Sequence, residues 1–233
     1  MTSQQQDMLK EFAGCDAWAP PEKGSIWLFG IEHGWPKNAE DINNQRNAEG
    51  DTYSIKTQRK YPYNRNAFKL LTVIAGRPIS EWIDYAEEKQ PFVKGSKGFF
   101  KGNLFVYPCY KTGAWTDAAI RETGFSDKKE YQKWCREKRL PVIHDWINKY
   151  APSIFIGVGN QNFDDFSLAC FGKLKEPQEK EKSFNGYTKR LYCAQEINRK
   201  LVVVPHLSGG KNGLNSNASL EWAGKFIRDF ILP

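Results

Sequence analysis

Two segments far apart in the chain place polar residues and glycines directly after apolar runs. Residues 30–34 (Gly-Ile-Glu-His-Gly) follow the run Ile-Trp-Leu-Phe, and residues 206–210 (His-Leu-Ser-Gly-Gly) follow Leu-Val-Val-Val-Pro. Each pattern predicts a buried strand that ends in polar residues. Ligands bind at the carboxyl ends of the strands in open α/β sheets, so we expect the two segments to form an active site. Two of the three histidines, His33 and His206, lie in them.

Glu32 and His206 are the candidate catalytic residues. A carboxylate just past a buried strand is partly desolvated, so Glu32 can orient or deprotonate a water, or stabilise a developing cation. Gly30 and Gly34 on either side would let a ligand approach the backbone closely. His206 can donate a hydrogen bond to an oxygen that becomes negative during a reaction. The alternatives are a loop carboxylate paired with a surface lysine and a structural histidine.

The segment that follows His206 is suited to phosphate. Ser208 supplies a hydroxyl, and Gly209 and Gly210 supply backbone N–H groups. The chain has no Gly-x-x-x-x-Gly-Lys-Ser/Thr and no Gly-x-Gly-x-x-Gly segment, which disfavours nucleotide-cofactor folds. Its five cysteines form no Cys-x-x-Cys pair, which disfavours a metal centre. We therefore expect neither a cofactor nor a metal, and we expect reduced thiols.

Composition favours a single domain with an anionic partner. The 233 residues are predicted to form one α/β domain, residues 1–233, and the net charge of +7 favours a polyanion such as DNA. No apolar run is long enough to span a bilayer, and the first ten residues lack the apolar region of a signal peptide. We expect a cytoplasmic monomer that does not bind membranes. The basic and aromatic stretch 92–101 has two interpretations: a loop that contacts a nucleic-acid backbone, or a solvated loop whose rings lie in the core.

Apolar periodicity predicts the elements that position these residues. We expect strands at residues 26–30, 104–107, 154–158, 190–194 and 201–204. We expect helices at residues 4–12, 64–74, 81–89, 126–138, 142–150, 161–171 and 217–230, with N-caps at Asn64, Ser80 and Asn217. Residues 37–59 and 173–182 are predicted to be loops. Alternating helices and short apolar strands indicate a three-layer α/β/α sandwich around a mostly parallel central sheet.

The motifs resemble those of the uracil-DNA glycosylase superfamily. The family's first motif is a strand followed by Gly-x-(acid or Asn)-Pro, and its last motif is a strand followed by His-Pro-Ser or Asn-Pro-Ser. Residues 30–34 and 206–208 are similar, although His33 and Leu207 each stand where the family has Pro. Glu32 stands where the family usually has Asp or Asn.

The resemblance is closest to the mismatch-specific uracil/thymine branch of that superfamily. The branch has an aromatic-Pro-aromatic segment that leads into a helix, and residues 61–63 (Tyr-Pro-Tyr) and 66–68 (Asn-Ala-Phe) are similar. Asn103 resembles the family asparagine that reads the pyrimidine edge. These landmarks run from residue 26 to residue 230, which is nearly the whole chain.

The resemblance implies a monofunctional DNA N-glycosylase with a uracil-DNA-glycosylase-like fold. Such an enzyme flips out a pyrimidine and hydrolyses its N-glycosidic bond, leaving an abasic site. Glu32 would orient the water and stabilise the sugar cation, and His206 would donate to the pyrimidine O2. The implied base-binding residues are Ile31, Gly34, Tyr61, Tyr63 and Asn103. The implied DNA-binding residues are Ser208, Gly209, Gly210, Lys211 and Leu214.

Two further expectations concern Leu214 and Gly34. Leu214 would either wedge into the vacated base stack or pack ahead of the last helix. In uracil-restricted members of the family, a Tyr at the position of Gly34 blocks substituents at the pyrimidine C5. The glycine therefore suggests a wider pocket, suited to mismatched or bulky modified pyrimidines, including hypermodified cytosine of viral DNA in an antiviral role. The alternatives are a non-catalytic nucleic-acid-binding protein on the same fold and a small-molecule hydrolase or transferase on a related sheet.

Overall fold

The computed structural model describes residues 3–10, 21–34, 54–109 and 115–232, and all structural statements below refer to these residues. The strands are β1 Ile26–Gly34, β2 Phe99–Cys109, β3 Ile154–Val158, β4 Gln178–Phe184, β5 Tyr187–Glu196 and β6 Arg199–Val204. The α-helices are α1 Ser3–Lys10, α2 Ile55–Gln58, α3 Pro62–Ile74, α4 Trp82–Lys89, α5 Asp117–Thr123, α6 Lys128–Trp134, α7 Leu140–Tyr150, α8 Phe163–Phe171 and α9 Asn217–Ile231.

The strands form one six-stranded mixed sheet in the order β2-β1-β3-β6-β5-β4. The pairs β1–β2, β1–β3 and β3–β6 are parallel, whereas β5 pairs antiparallel with both β6 and β4. The carboxyl ends of β1, β2, β3 and β6 therefore meet at one edge of the sheet. That edge receives both segments singled out in the sequence.

Helices cover both faces of the sheet, because its strands alternate large apolar side chains between the two faces. The first core contains Trp27, Phe29 and Phe155 from the sheet, packed against helices α6, α7 and α8. The second core contains Leu28, Ile156 and other sheet residues, packed against helices α3, α4 and α9. The chain is thus an α/β protein, as its alternating pattern predicted.

All five predicted strands are present, and most are longer than expected. β1 continues through the polar residues to Gly34, so Glu32 lies within the strand. The expectation of a solvated loop over residues 173–182 is wrong in part, because Gln178–Phe184 forms the edge strand β4. This strand alternates Glu and Lys, and nearly all of its side chains are exposed. Its position is set by antiparallel pairing with β5 through a turn at Asn185 and Gly186, which both have positive φ.

Several predicted helix boundaries were wrong. Ser216, not Asn217, is the N-cap of α9, and its hydroxyl accepts from the Ser219 N–H. Asn64 lies inside the first turn of α3, which begins at Pro62. The chain is helical from Lys128 to Tyr150 through a π-helical segment, so the two helices predicted there are continuous.

Other expectations about the helices also changed. Ser80 lies in a 3₁₀ turn, Ile79–Glu81, that precedes α4. Helix α2 occupies part of the loop predicted at 37–59, while residues 37–53 of that loop lie outside the described residues. In the stretch 92–101, Phe92 and Phe100 are fully buried, which confirms that those rings belong to the core. Within the described ranges, no helix is both long and apolar enough to cross a membrane.

Candidate active site at the carboxyl edge of the sheet

Strand β1 carries the predicted acid to the carboxyl edge through an irregular pairing with β2. Gly30 pairs with Asn103 and Glu32 with Phe105, but Gly34 pairs with Cys109. Two residues of β1 therefore span the same distance as four residues of β2. Such an irregularity bends the pairing and changes the direction in which side chains point.

Glu32 forms an ion pair with Lys128, the first residue of helix α6. The Lys128 Nζ lies 3.0 Å from Oε1, to which it donates a hydrogen bond, and 2.8 Å from Oε2. The exposed fractions of the two side chains are only 10% for Glu32 and 9% for Lys128. Oε2 is buried and accepts no hydrogen bond from any residue that the structure describes. The Lys128 ammonium thus contacts both oxygens of a nearly buried carboxylate.

Burial raises the pKa of Glu32, and the neighbouring Lys128 ammonium and Cys109 thiol lower it in part. Burial together with the Glu32 charge also raises the pKa of the Cys109 thiol, so this cysteine is a poor nucleophile at neutral pH. We refer to Glu32, Lys128 and Cys109 as the acid group.

His206 follows β6 and has a defined tautomer. The backbone N–H of Ser208 lies 3.2 Å from the His206 Nδ1 and can only donate, so Nδ1 is the acceptor. The Ser208 hydroxyl lies 2.7 Å from the same nitrogen and therefore donates to it as well. Burial lowers the pKa of His206, so the ring is neutral at pH 7. Its proton then resides on Nε2, which makes that nitrogen a hydrogen-bond donor.

Tyr63 lies beside His206, and Asn103 lies near Tyr63 across Gly30. The Tyr63 ring packs edge-on against the imidazole, with ring centroids 5.8 Å apart. A Cβ placed on Gly30 would lie 2.5 Å from the Asn103 Oδ1 and 3.7 Å from the Tyr63 Oη, so only glycine fits between these side chains. Asn103 is buried and Tyr63 is half-buried. We refer to His206, Ser208 and Tyr63 as the imidazole group.

The two groups share the edge of the sheet but are held from opposite faces. Lys128 belongs to helix α6, whose Tyr131 packs in the first core. Tyr63 belongs to helix α3, which packs in the second core. Strand β1 connects the two groups. Its Gly30 lies against Asn103 and Tyr63, and its Glu32 lies two residues further along.

Buried side chains hold the loop that carries His206. The Asn66 Nδ2 donates to the Leu207 carbonyl over 2.6 Å, and the Leu214 N–H donates to the His206 carbonyl over 2.8 Å. Leu207 and Leu214 are both fully buried in the second core. The expectation that Leu214 wedges into DNA is therefore wrong for this structure, because its side chain is part of the core. The alternative, packing ahead of the last helix, is correct.

The remaining predicted DNA-binding residues lie on the outer side of this loop. Gly209, Gly210 and Lys211 are exposed. The Lys211 carbonyl accepts a hydrogen bond from the Lys189 ammonium. The hydroxyl of Ser208 is engaged by His206, so in this structure it serves the imidazole.

The remaining predicted base-binding residues differ in exposure. Ile31 packs against the first core. Its Cδ1 lies so close to Gly159, which follows β3, that a Cβ built on that glycine would be 2.5 Å away. A Cβ at Gly34 would meet nothing within 4 Å among the described residues. Tyr61, with an exposed fraction of 38%, stands at the start of helix α3.

Sequence reasoning missed Lys128 and two basic side chains of helix α3. The Lys69 Nζ donates to the Asn217 Oδ1 over 2.9 Å, which ties α3 to the start of α9. Burial and the charge of nearby Arg65 lower the pKa of Lys69. The i, i+4 spacing of Arg65 and Lys69 on one helix face was a readable signal for this pair. Lys128 carried no such signal, since it lies 96 residues from Glu32.

The comparisons with known proteins do not identify a family. No protein-family model matches this sequence, and no curated protein matches it significantly. The described residues also contain no group of three or more His, Cys, Asp or Glu side chains that could hold a metal ion.

Proposed function

We propose that this protein is a DNA glycosylase with a uracil-DNA-glycosylase-like fold, which removes a flipped-out pyrimidine by hydrolysing its N-glycosidic bond. In this reaction the sugar develops positive charge while the departing base becomes an anion. Catalysis needs a negative group near the sugar and a hydrogen-bond donor near the base oxygen.

The observation that carries this proposal is the tautomer of His206. Two donors from Ser208 occupy Nδ1, so the neutral imidazole presents its Nε2–H as a preorganised donor. A neutral donor beside a tyrosine ring suits the O2 of a pyrimidine stacked in the pocket. The lowered pKa of His206 favours this role, because the ring is already neutral at pH 7.

Glu32 supplies the complementary charge. Its carboxylate would orient the attacking water, and the Lys128 ammonium holds that carboxylate in place at the carboxyl edge of the sheet. The carboxylate would also stabilise the sugar cation as the bond to the base breaks. The Lys128 ammonium lowers the pKa of the buried Glu32 carboxyl and so favours its anionic form.

Tyr63 and Asn103 are suited to a pyrimidine ligand. Tyr63 offers a ring for stacking, which contributes about 1–3 kcal/mol per base. The Asn103 amide can accept from and donate to a base edge. By the resemblance, a glycine at position 34 in place of the family's Tyr would accommodate a substituent at the pyrimidine C5 and so permit a substrate range wider than uracil.

Basic side chains next to the pocket support DNA as the substrate. Arg65 and Lys69 repel each other on helix α3, and a bound phosphate would relieve that repulsion. Lys211 and the exposed glycines of the His206 loop lie on the surface that follows β6. This arrangement can neutralise phosphates on both sides of a flipped nucleotide, and binding should weaken steeply as salt rises.

The decisive experiment measures abasic sites. Purified protein is incubated with oligonucleotides that carry uracil, mismatched thymine or 5-substituted pyrimidines, and with genomic DNAs that differ in base modification. Alkali then converts abasic sites into strand breaks. We expect Glu32→Gln, once circular dichroism has shown that it is folded, to keep DNA affinity and to lower excision by about 10²–10⁴-fold. His206→Ala should lower it by about 10²–10³-fold. His144→Gln, in helix α7, is the matched control and should remain active. Absence of breaks with every substrate would contradict the proposal.

One observation favours the non-catalytic alternative. The Glu32–Lys128 pair by itself is also what a structural carboxylate would form in a domain that only binds nucleic acid. That alternative predicts DNA affinity for the wild-type protein and for Glu32→Gln, with no strand breaks from either.

A further inference from the structure

We propose that Lys128 is a positioning residue, which keeps the Glu32 carboxylate ionised and fixes its orientation at the carboxyl edge of the sheet. This inference rests on the proposed function for its chemistry. Its structural part, the control of Glu32 by Lys128, can be tested without any activity.

The position of Lys128 is unfavourable unless Glu32 is its partner. Lys128 is the first residue of helix α6, directly after the N-cap Asp127, whose carboxylate accepts from the Glu130 N–H. The start of a helix carries partial positive charge, so a cation there is disfavoured. Burial of a lysine adds a further cost. Both costs are offset by the ion pair with Glu32.

The geometry of the pair is asymmetric. Lys128 donates a hydrogen bond to Oε1, while Oε2 lies 2.8 Å from Nζ without accepting a hydrogen bond. The ammonium lies within 3.0 Å of both carboxylate oxygens and therefore restricts the rotation of the carboxylate. A carboxylate without this anchor would be free to rotate.

The groups that face Glu32 come from two elements. Helix α6 contributes the Lys128 ammonium, and the end of β2 contributes the Cys109 thiol. Burial alone raises the pKa of Glu32, and both neighbours lower it. The Cys109 thiol is neutral at ordinary pH because its own pKa is raised, so Lys128 supplies the positive charge in this group.

The inference predicts a specific change in the pH dependence of excision. Only ionised Glu32 can accept a proton from water, so activity should fall as pH falls through the pKa of Glu32. Replacing Lys128 by a neutral residue removes the charge that lowers the Glu32 pKa. The loss of activity on the acid side should therefore begin at a higher pH. An opposite charge at this distance commonly changes a carboxyl pKa by one unit or more. On the acid side of the profile, Lys128→Gln should therefore lower kcat/KM about tenfold or more relative to wild type.

The experiment compares three variants. The pH profile of kcat/KM is measured for wild type, Lys128→Gln, Lys128→Arg and Lys129→Gln. Lys128→Arg keeps the charge and should retain the wild-type profile. Lys129→Gln removes the exposed neighbouring charge and should not shift it. A folded Lys128→Gln with an unshifted profile would overturn the proposal, as would an equal shift in Lys129→Gln.

A second measurement separates this inference from the proposed function. NMR titration of the Glu32 carboxyl carbon should show protonation at higher pH in Lys128→Gln than in wild type, whether or not the protein cuts DNA. If Lys128→Gln does not fold, wild type alone decides, because the Lys128 ammonium nitrogen should shift at the pH at which Glu32 titrates. A Lys128 nitrogen whose chemical shift does not change as Glu32 titrates would refute the inference. Coupled titration without excision of any base would refute the proposed function instead.

Discussion

The acid group and the imidazole group occupy the same edge of the sheet but are built by different physical means. Glu32 and Lys128 form a charged, nearly buried pair that joins residues 96 positions apart. His206 is neutral and exposed, and it is oriented by a residue only two positions away. One group depends on the mutual compensation of two charges, and the other on local hydrogen bonds to one ring nitrogen.

This difference indicates how sensitive each group should be to change. A buried ion pair tolerates the loss of neither partner, because the remaining charge is left in a poorly solvated place. A neutral ring held by local bonds can lose one of them at small cost. Substitutions in the acid group should therefore affect folding more than substitutions around His206.

The largest effect is expected from Lys128→Met. Removing one partner of a buried pair costs about 3–5 kcal/mol of the free energy of unfolding. In this variant Glu32 would have a folded-state pKa above its unfolded value. The contribution of Glu32 to stability should therefore be greatest below its unfolded-state pKa and be lost as pH rises through its folded-state pKa. Urea denaturation at several pH values measures the free energy of unfolding of the variant and of wild type.

The double variant Glu32→Gln/Lys128→Met is the control for that prediction. It removes both charges and should recover most of the lost stability. A single variant that loses less than about 1 kcal/mol, or a double variant that recovers nothing, would contradict a coupled pair.

Leu214→Ala tests the loop of the imidazole group. Leu214 is fully buried, so its truncation should cost about 2–5 kcal/mol of the free energy of unfolding. Leu174→Ala is the matched control, since Leu174 is 60% exposed and should change stability by at most about 0.5 kcal/mol. If Leu214→Ala left stability intact but weakened DNA binding, the wedge interpretation would be restored.

His33, the residue after Glu32 in β1, should make stability depend on pH. Burial and the charge of Lys101 lower the pKa of His33 from 6.5 to about 4. The folded protein therefore binds this proton less readily than the unfolded chain, and stability should fall as pH drops from about 6.5 to about 4. A difference of about 2.5 pH units corresponds to at most about 3 kcal/mol. His33→Gln should remove that part of the pH dependence, and an NMR titration of His33 near pH 6.5 would contradict it.

Ser208→Ala should have the smallest effect on stability, about 1 kcal/mol or less. The hydroxyl donates to the His206 Nδ1, and the backbone N–H of residue 208 would remain as a second donor. The ¹⁵N spectrum of His206 should show the Nε2–H tautomer in wild type and a partial loss of that preference in the variant. Ser208→Thr keeps a hydroxyl and serves as the control. A protonated Nδ1 in neutral wild-type His206 would contradict the assignment.

Local sequence patterns were enough to predict the core strands and the edge that carries the site. The apolar runs of β1, β3 and β6 are short and continuous, which is typical of strands buried on both faces. The edge strand β4 escaped prediction because its alternating Glu and Lys leave no apolar period. Asn185 and Gly186 were nevertheless a hairpin signal, since both residues have the positive φ that this turn requires.

The sequence by itself determined which chemical groups reach one edge of the sheet, and it determined the Ser208–His206 contact, because two residues apart in a chain stay near in space. Only the tertiary structure decided that Glu32 pairs with Lys128 and that Leu214 is buried. Both outcomes depend on how helix α6 and the His206 loop pack against distant segments. Burial and charge pairing arise from many residues acting together, so no short window of sequence contains them.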